Sequence, residues 1–310
     1  MRAVVLVGGE GTRLRPLTNT IPKQLLPVAN LPLLERVLER LGAHGVTDVV
    51  LSMGYKADAF RTAYPDGECA GLPLTYVIEE TPLDTAGAIG FAAREAGIDD
   101  TFMVVNSDVL HDFDLGALTS FHRGSGAVAT IALAPVADPS DMGVVVHGLD
   151  GRVSAFIEKP GPGRAPTNLV NAGTYVMEPS VIDRIPTGRR VNVEREIFPA
   201  LVDDGELFAL DLGAWWLDVG TPRRYLEANL HLLDRAPVLP GDGTVVDPLA
   251  RVDRSVIGAC CRIGASRVCE SVVMDDAEIA DDVEIVRSII GPGVALAPGT
   301  RLTEGSVVVA

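Results

Sequence analysis

The chain has 310 residues and a formal net charge of −16, from 42 acidic and 26 basic side chains; that balance excludes a nucleic-acid backbone as partner, because counterion release needs clustered Lys and Arg. With 47% hydrophobic residues it can bury a large core in one big domain or two. No apolar run reaches the ~18 residues of a membrane span, and no apolar targeting segment opens the chain, so a cytoplasmic protein with no membrane partner is expected. Cys69, Cys260, Cys261 and Cys269 form no CxxC pair and have no histidine near them; they read as reduced structural thiols and not as a zinc site.

In chain order, Ala3-Val4-Val5-Leu6-Val7 predicts a buried strand that breaks into Gly8-Gly9-Glu10-Gly11-Thr12-Arg13-Leu14-Arg15-Pro16, and Pro22-Lys23-Gln24-Leu25-Leu26-Pro27 follows. Glycines let the main chain pass close to a ligand, and bare N–H groups can hold phosphate oxygens. Arg13, Arg15 and Lys23 add fixed positive charge beside that loop. A triphosphate site is the sharper reading and a glycine turn the plainer one. The Walker pattern GxxxxGK[ST] is absent, and a dinucleotide fingerprint would need a glycine where Leu14 stands.

Leu33, Leu34, Val37, Leu38 and Leu41 recur at helical spacing with charges between them. Strands are predicted at 48–52, 74–78 and 102–106, with a helix at 86–95. This alternation implies a doubly wound, mainly parallel sheet whose ligands sit beyond the carboxyl ends of the strands. The middle third is richer in strands: 127–135, 143–147, 152–158, 173–177 and 207–212, with a hairpin turn at Leu149-Asp150-Gly151 and helices near 193–203 and 222–233. A mixed sheet is expected there.

After a Pro/Gly linker at 236–243, aliphatic residues recur every six positions: Val246 and Val252; Ile257 and Ile263; Ile279 and Ile285; Ile290, Leu296 and Leu302. That period marks a hexapeptide-repeat parallel β-helix of three to four coils, with a frame slip near Ile257. The expected organisation is therefore 1–235, a linker, and 244–310.

Chemistry-bearing residues cluster at the predicted strand ends. Asn106-Ser107-Asp108 places a carboxylate directly after a buried strand, where Mg²⁺ can be held with few protein ligands. Asp218, in Trp215-Trp216-Leu217-Asp218-Val219-Gly220-Thr221-Pro222, is a second such carboxylate before a Pro-started helix. Phe156-Ile157-Glu158-Lys159-Pro160 ends a strand; neighbours on a strand point to opposite faces, so Glu158 and Lys159 are not expected to pair. Only three of the 26 basic residues are lysines, Lys23, Lys56 and Lys159, which singles out Lys23 and Lys159 as compact point charges.

The combination Gly8-Gly9-x-Gly11-Thr12-Arg13-Leu14-x-Pro16-Leu17-Thr18 with Pro22-Lys23-x-Leu25-Leu26-Pro27 resembles the signature of sugar-1-phosphate nucleotidyltransferases, over about residues 1–235. The segments Val193-Glu194-Arg195-Glu196-Ile197-Phe198-Pro199 and Trp216-x-Asp218-x-Gly220-x-Pro222 resemble the mannose-1-phosphate guanylyltransferase branch. The resemblance implies a Rossmann-like nucleotidyltransferase fold followed by a short left-handed parallel β-helix. It implies Arg13 and Lys23 on the triphosphate, and Gly8, Gly9, Gly11, Thr12, Glu79, Thr85, Ala86 and Gly87 on the nucleotide. It also implies Gly143, Glu158, Lys159 and Asn171 on the sugar phosphate, and Asp108 and Asp218 on Mg²⁺.

The implied reaction joins a sugar-1-phosphate to the nucleoside monophosphate of an NTP and releases pyrophosphate. Glu79-Glu80-Thr81-Pro82-Leu83-Asp84-Thr85-Ala86-Gly87 is similar to the family's base-holding EExPLGTAG. A carboxylate at Glu79 suits the two donors of a guanine edge, whereas thymidylyl relatives are expected to carry Gln there; GTP is favoured. Asp84 departs from the pattern, putting a charge and a Cβ where the family has glycine. Glucose-1-phosphate thymidylyltransferase is the alternative, supported by Gln24, and a non-catalytic regulatory homologue is another. Acyl transfer by the β-helix is disfavoured because all five histidines, His44, His111, His122, His147 and His231, precede it. Those coils are expected to serve homo-oligomer contacts.

Overall fold

The structure, a computed structural model, describes residues 1–54 and 56–310. Two compact units emerge: residues 1–9 with 37–216, and residues 10–36 with 217–310.

The first unit is built on a ten-stranded mixed sheet. Arg2–Leu6 lies between Asp48–Met53 and Phe102–Asn106, parallel to both. Ala3, Val4, Val5, Val49, Val50, Leu51, Val104 and Val105 are all buried, without alternation, as expected of strands covered on both faces. Leu72–Ile78 continues the parallel set beside Asp48–Met53. On the other side Leu169–Met177 runs antiparallel to Phe102–Asn106 and makes the sheet mixed. It also pairs with Ala129–Pro135, which carries Leu207–Asp211 in parallel. Gly143–His147 and Val153–Glu158 close that edge as a hairpin.

Helix Asp84–Glu95 covers this sheet with a small-residue face of Ala86, Gly87, Ala88, Gly90, Ala92 and Ala93. A Cβ at Gly90 would stand 2.9 Å from Ile185, so glycine is what permits the close approach there.

The second unit contains three stacks of four short parallel strands, a β-helix around Ile257, Ile263, Val268, Val273, Ile279, Ile285 and Ile290. Three full hexads per coil would set 18 residues between layers, a spacing that Ile289 and Val307 keep, but Arg251 pairs with Arg267 and Arg267 with Glu284, so the earlier coils are shorter. The slip expected near Ile257 is one of the short coils, for Val256 pairs with Val272. Short corners force left-handed backbone at Arg254, Glu270 and Arg287. These residues form a charge ladder: Arg254 pairs with Asp234 and Glu270, and Arg287 with Glu270 and Glu304. Beneath it Ser271 and Ser288, both fully buried, pass main-chain N–H bonds from coil to coil.

The same unit holds the Lys23-bearing segment. Buried Asn229, on helix Pro222–Arg235, accepts the Ala29 N–H at 2.7 Å and donates to the Tyr225 carbonyl at 2.8 Å. Asn30 donates to the carbonyl of Ile257 at 2.7 Å and to that of Leu239 at 3.1 Å. The Tyr225 hydroxyl bonds to the Pro27 carbonyl. Among the described residues no helix is long and apolar enough to cross a membrane. Replacing Asn229 by Leu strands the buried Ala29 N–H, and urea unfolding is expected to show a loss of about 1–3 kcal/mol.

Candidate functional site

In the first unit the strand Arg2–Leu6 delivers Gly8 and Gly9 into solvent; Gly9 takes φ +99°, and nothing lies within 4 Å of a Cβ at either position. Backbone of this kind is open to a ligand from the side where a side chain would stand. In the second unit Gly11 takes φ +62°, and a Cβ there would press on Thr18 at 3.1 Å and on Lys23 at 3.3 Å. Thr12 to Leu14 form a 3₁₀ turn that presents Arg13, two-thirds exposed, while Lys23 opens a second such turn.

The strand-end polar residues of the first unit come together. Asp108 follows Phe102–Asn106, and Ser107 donates to the Leu6 carbonyl through both its amide and its hydroxyl. Leu169–Met177 shifts register between Asn171 and Tyr175. Gly173, at φ +72°, stands so close to Asn106 that a Cβ would fall 2.6 Å from its side-chain nitrogen. Within this bulge Asn171 accepts from the Gly173 N–H and donates to the Tyr175 hydroxyl, both at 2.9 Å. Burial, followed by the charges of Glu194, Glu158 and Asp108, pushes the Tyr175 phenol above its ordinary range. Asp108, Glu158 and Asn171 therefore share one neighbourhood, centred on a tyrosine that sequence reasoning passed over. Trp216 borders it, donating its indole N–H to the Ala172 carbonyl at 2.9 Å.

Glu158 faces Gly143 in the strand register, and a Cβ on Gly143 would sit 3.2 Å from its carboxylate. Lys159 corrects one expectation. It lies 3.8 Å from Glu158 as an ion pair, because the strand ends at Glu158 and Lys159 turns to φ +52°. The opposite-face rule applies only while the backbone stays extended.

The 79–87 segment is held by its own bonds and by the 190–194 stretch. Glu79 accepts from the Ser52 hydroxyl at 3.2 Å and from the Leu83 N–H at 3.0 Å, using one acceptor position on each oxygen and leaving a second. The N–H groups of Ala86 and Gly87 both donate to the Val191 carbonyl. Thr85 accepts the Val193 N–H and donates its hydroxyl to Glu194 at 3.0 Å. Burial raises the Glu194 carboxyl above its usual range. The polar groups of Thr85, Ala86 and Gly87 are thus committed to shaping the segment. Asp84, at φ +64°, turns its charge onto Asn192 and Arg190, partners more than 100 residues away in sequence.

In the second unit Asp218 lies 3.1 Å from Arg224 and 4.0 Å from Arg13. Sequence reading missed Arg224; its signal was its place in the first turn of the Pro-started helix after Asp218. Gly220 leaves the room these groups occupy, since a Cβ there would stand 2.8 Å from Arg13 and 2.9 Å from Asp218. Among the described residues no three His, Cys, Asp or Glu side chains group as a metal cage. Hard carboxylates in ones or twos fit Mg²⁺ that arrives with substrate phosphates, since that ion binds through one or two carboxylates and keeps waters.

His111, three residues beyond Asp108, stacks on Phe113 with ring centres 4.4 Å apart, and its Nδ1 accepts the Phe113 N–H at 3.2 Å. Burial, then the Arg40 charge, lowers its pKa to about 4. The folded chain resists a proton that the unfolded chain accepts near 6.5, so this group's cost to stability is absent above that value and grows as pH falls toward about 4. His111→Asn keeps an acceptor for Phe113 and removes the titration. Urea unfolding across that window is expected to show a shallower acid decline in the variant than in the wild type.

The nucleotidyl transferase family model matches residues 2–235, and the model for the GlmU-like C-terminal hexapeptide matches residues 239–306. A mannose-1-phosphate guanylyltransferase of Mycobacterium tuberculosis is 41% identical over 99% of this chain and 79% of its own length. A mannose-1-phosphate guanyltransferase of Aspergillus oryzae is 36% identical over 99% of this chain and 90% of its own. Among solved structures, HddC from Yersinia pseudotuberculosis complexed with GMP-PN aligns with a TM-score of 0.63 at 29% identity, covering 74% of this chain and 99% of that one.

Proposed function

Since the chain belongs to the nucleotidyl transferase family, we propose that it forms GDP-mannose and pyrophosphate from GTP and mannose-1-phosphate. The observation that carries the reading is the hydrogen bond of Asn171 to the Tyr175 hydroxyl at 2.9 Å, with Asp108 and Glu158 near enough for their charges to act on the same phenol. The guanine and mannose assignments draw on the names of the relatives, on the GMP-PN complex of HddC and on the carboxylate at Glu79.

In this reading an oxygen of the sugar phosphate attacks the α-phosphorus in line, the bond to the β-phosphate oxygen breaks, and its electron pair leaves with pyrophosphate. The nucleophile is already an anion, so no general base is required. Arg13 and Lys23 neutralise the triphosphate, and main-chain N–H groups of Gly8, Gly9, Gly11 and Thr12 are the nucleotide's further donors. Glu158, Lys159, Asn171 and Gly143 orient the sugar phosphate, whose position decides the rate more than any covalent step. Asp108 and Asp218 are the residues that would hold Mg²⁺, which when bound supplies charge neutralisation on the phosphates.

The test is pyrophosphate release from GTP, dTTP, ATP, CTP and UTP, each against a panel of sugar-1-phosphates. GTP with mannose-1-phosphate is expected to be fastest. Faster release from dTTP with glucose-1-phosphate moves the assignment to a thymidylyltransferase, and no release from any pair leaves a regulatory binder. Asp108→Asn is expected to lower kcat on the order of 10²-fold or more with unchanged circular dichroism. Mg²⁺-dependent turnover retained in that variant would remove Asp108 from the metal.

We further propose a homo-oligomer built on the first coil of the β-helix. Val245–Val246 and Arg251–Asp253 end their stacks, and Leu239, Val245 and Leu249 are 80%, 62% and 78% exposed. Exposed apolar side chains beside a terminal strand edge favour pairing with another copy. Light scattering is expected to give a multimer that Leu249→Asp with Val245→Asp reduces to monomer; a wild-type monomer would dispose of this interface.

A further inference from the structure

Asp84 is the position at which this chain departs from the glycine of the resembling segment, and its geometry explains how an L-residue stands there. It takes φ +64°, a region that Asp tolerates better than most residues but that still has to be held by its surroundings. One carboxylate oxygen accepts two hydrogen bonds, from the Thr85 N–H at 2.8 Å and from the Asn192 side chain at 3.1 Å. The other lies 3.8 Å from the Arg190 guanidinium. Around this point the main chain is stitched to the same partner: Val191 donates to the Leu83 carbonyl and accepts from Ala86 and Gly87.

Leading donors of helix Asp84–Glu95 are therefore spent on Asp84 and Val191, so this helix start does not offer them to a phosphate. The 79–87 segment gains a fixed pose instead. Gly87 adds to the constraint, since a Cβ there would collide with Leu83 at 2.8 Å. The Asp84 side chain reaches from the left-handed bend to both Arg190 and Asn192.

We propose that Asp84 is a positioning residue for nucleotide recognition: by clamping the bend to Arg190 and Asn192 it fixes the 79–87 segment, and with it Glu79, in the pose that receives the base. The proposal rests on reading 79–87 as the wall against the nucleobase. Two consequences separate it from a purely structural role. Loss of the clamp weakens the NTP and leaves the sugar phosphate and the chemical step alone. Asn at position 84 rescues in part, because it keeps the oxygen that accepts from Thr85 and Asn192 and tolerates the left-handed bend, while the ion pair with Arg190 is lost.

The experiment compares wild type, Asp84→Ala and Asp84→Asn by steady-state kinetics in both substrates, with GTP as the varied nucleotide, and by hydrogen exchange at residues 83–88. Asp84→Ala is expected to raise the KM for GTP about tenfold, with kcat and the KM for mannose-1-phosphate within twofold, and to speed exchange at Thr85 to Gly87. Asp84→Asn is expected to stay within threefold of wild type in every term. Unchanged exchange in Asp84→Ala overturns the clamp, as does an equal rise in both KM values. Glu79→Ala identifies which idea fails. If it raises the KM for GTP while Asp84→Ala does not, the clamp role is wrong. If neither changes it although exchange quickens, the base-wall reading falls and the proposal with it.

Discussion

Val4 lies in register with Val50 on one side and Val104 on the other, and all three are shut off from water. Strands buried on both faces have no solvent side on which to carry polar groups, so charge is confined to their ends. That constraint gives the first unit its division of labour. The apolar runs Ala3–Val5 and Phe102–Val105 hold position, and Gly8, Gly9 and Asp108, the residues proposed for the chemistry, lie a few positions past their ends. A polar substitution within those runs would have to be matched inside the sheet.

The antiparallel neighbour resolves a different problem. Leu169–Met177 must pair with Phe102–Asn106 at one end and with Gly143–His147 near the other, and a regular strand would keep Asn171 within a ladder of side chains. The bulge at Gly173 breaks that ladder. It lets Asn171 bond to Tyr175 and to the Gly173 amide instead of lying flat in the sheet, as bulges do where a side chain has to be re-aimed. Glycine is required at the bulge because Asn106 fills the place of its Cβ. One backbone irregularity thereby brings Asn171 to the phenol of Tyr175.

Most of this was legible in the sequence where the signal is local. Continuous valine runs read as buried strands, the glycine loop as a turn, and the six-residue period as a β-helix. What escaped depends on contacts between distant positions or on a single backbone angle. Tyr175 looks like any aromatic on a strand until the bulge folds Asn171 onto it. Lys159 obeys the strand rule in sequence and breaks it in space because its φ is positive. Arg224 becomes a neighbour of Asp218 only when the turn through Gly220 brings the helix back. The partnership of the Lys23-bearing segment with helix Pro222–Arg235 and the first coil, within the second unit, rests on Asn229 and Asn30, roughly 200 residues from the groups they bind. No periodicity announces such bonds.

Left-handed backbone at residues other than glycine recurs in both units, and several instances share one physical solution. Asp84 is tied to Arg190 and Asn192; Lys159 lies against Glu158; Arg254, Glu270 and Arg287 neutralise one another up the β-helix corner. A glycine would adopt the same angle without strain but would bring no side chain to the bend, and it has more freedom to lose on folding. A charged residue accepts some strain and gains a partner across the bend. At the coil corners these pairs are solvent-exposed and weakly stabilising one by one, so their value lies in repetition along the stack. At Asp84 the partner is a separate stretch of chain, the carboxylate is two-thirds shielded from solvent, and a bend that glycine would leave loose is bound to the 190–194 segment that also carries Glu194.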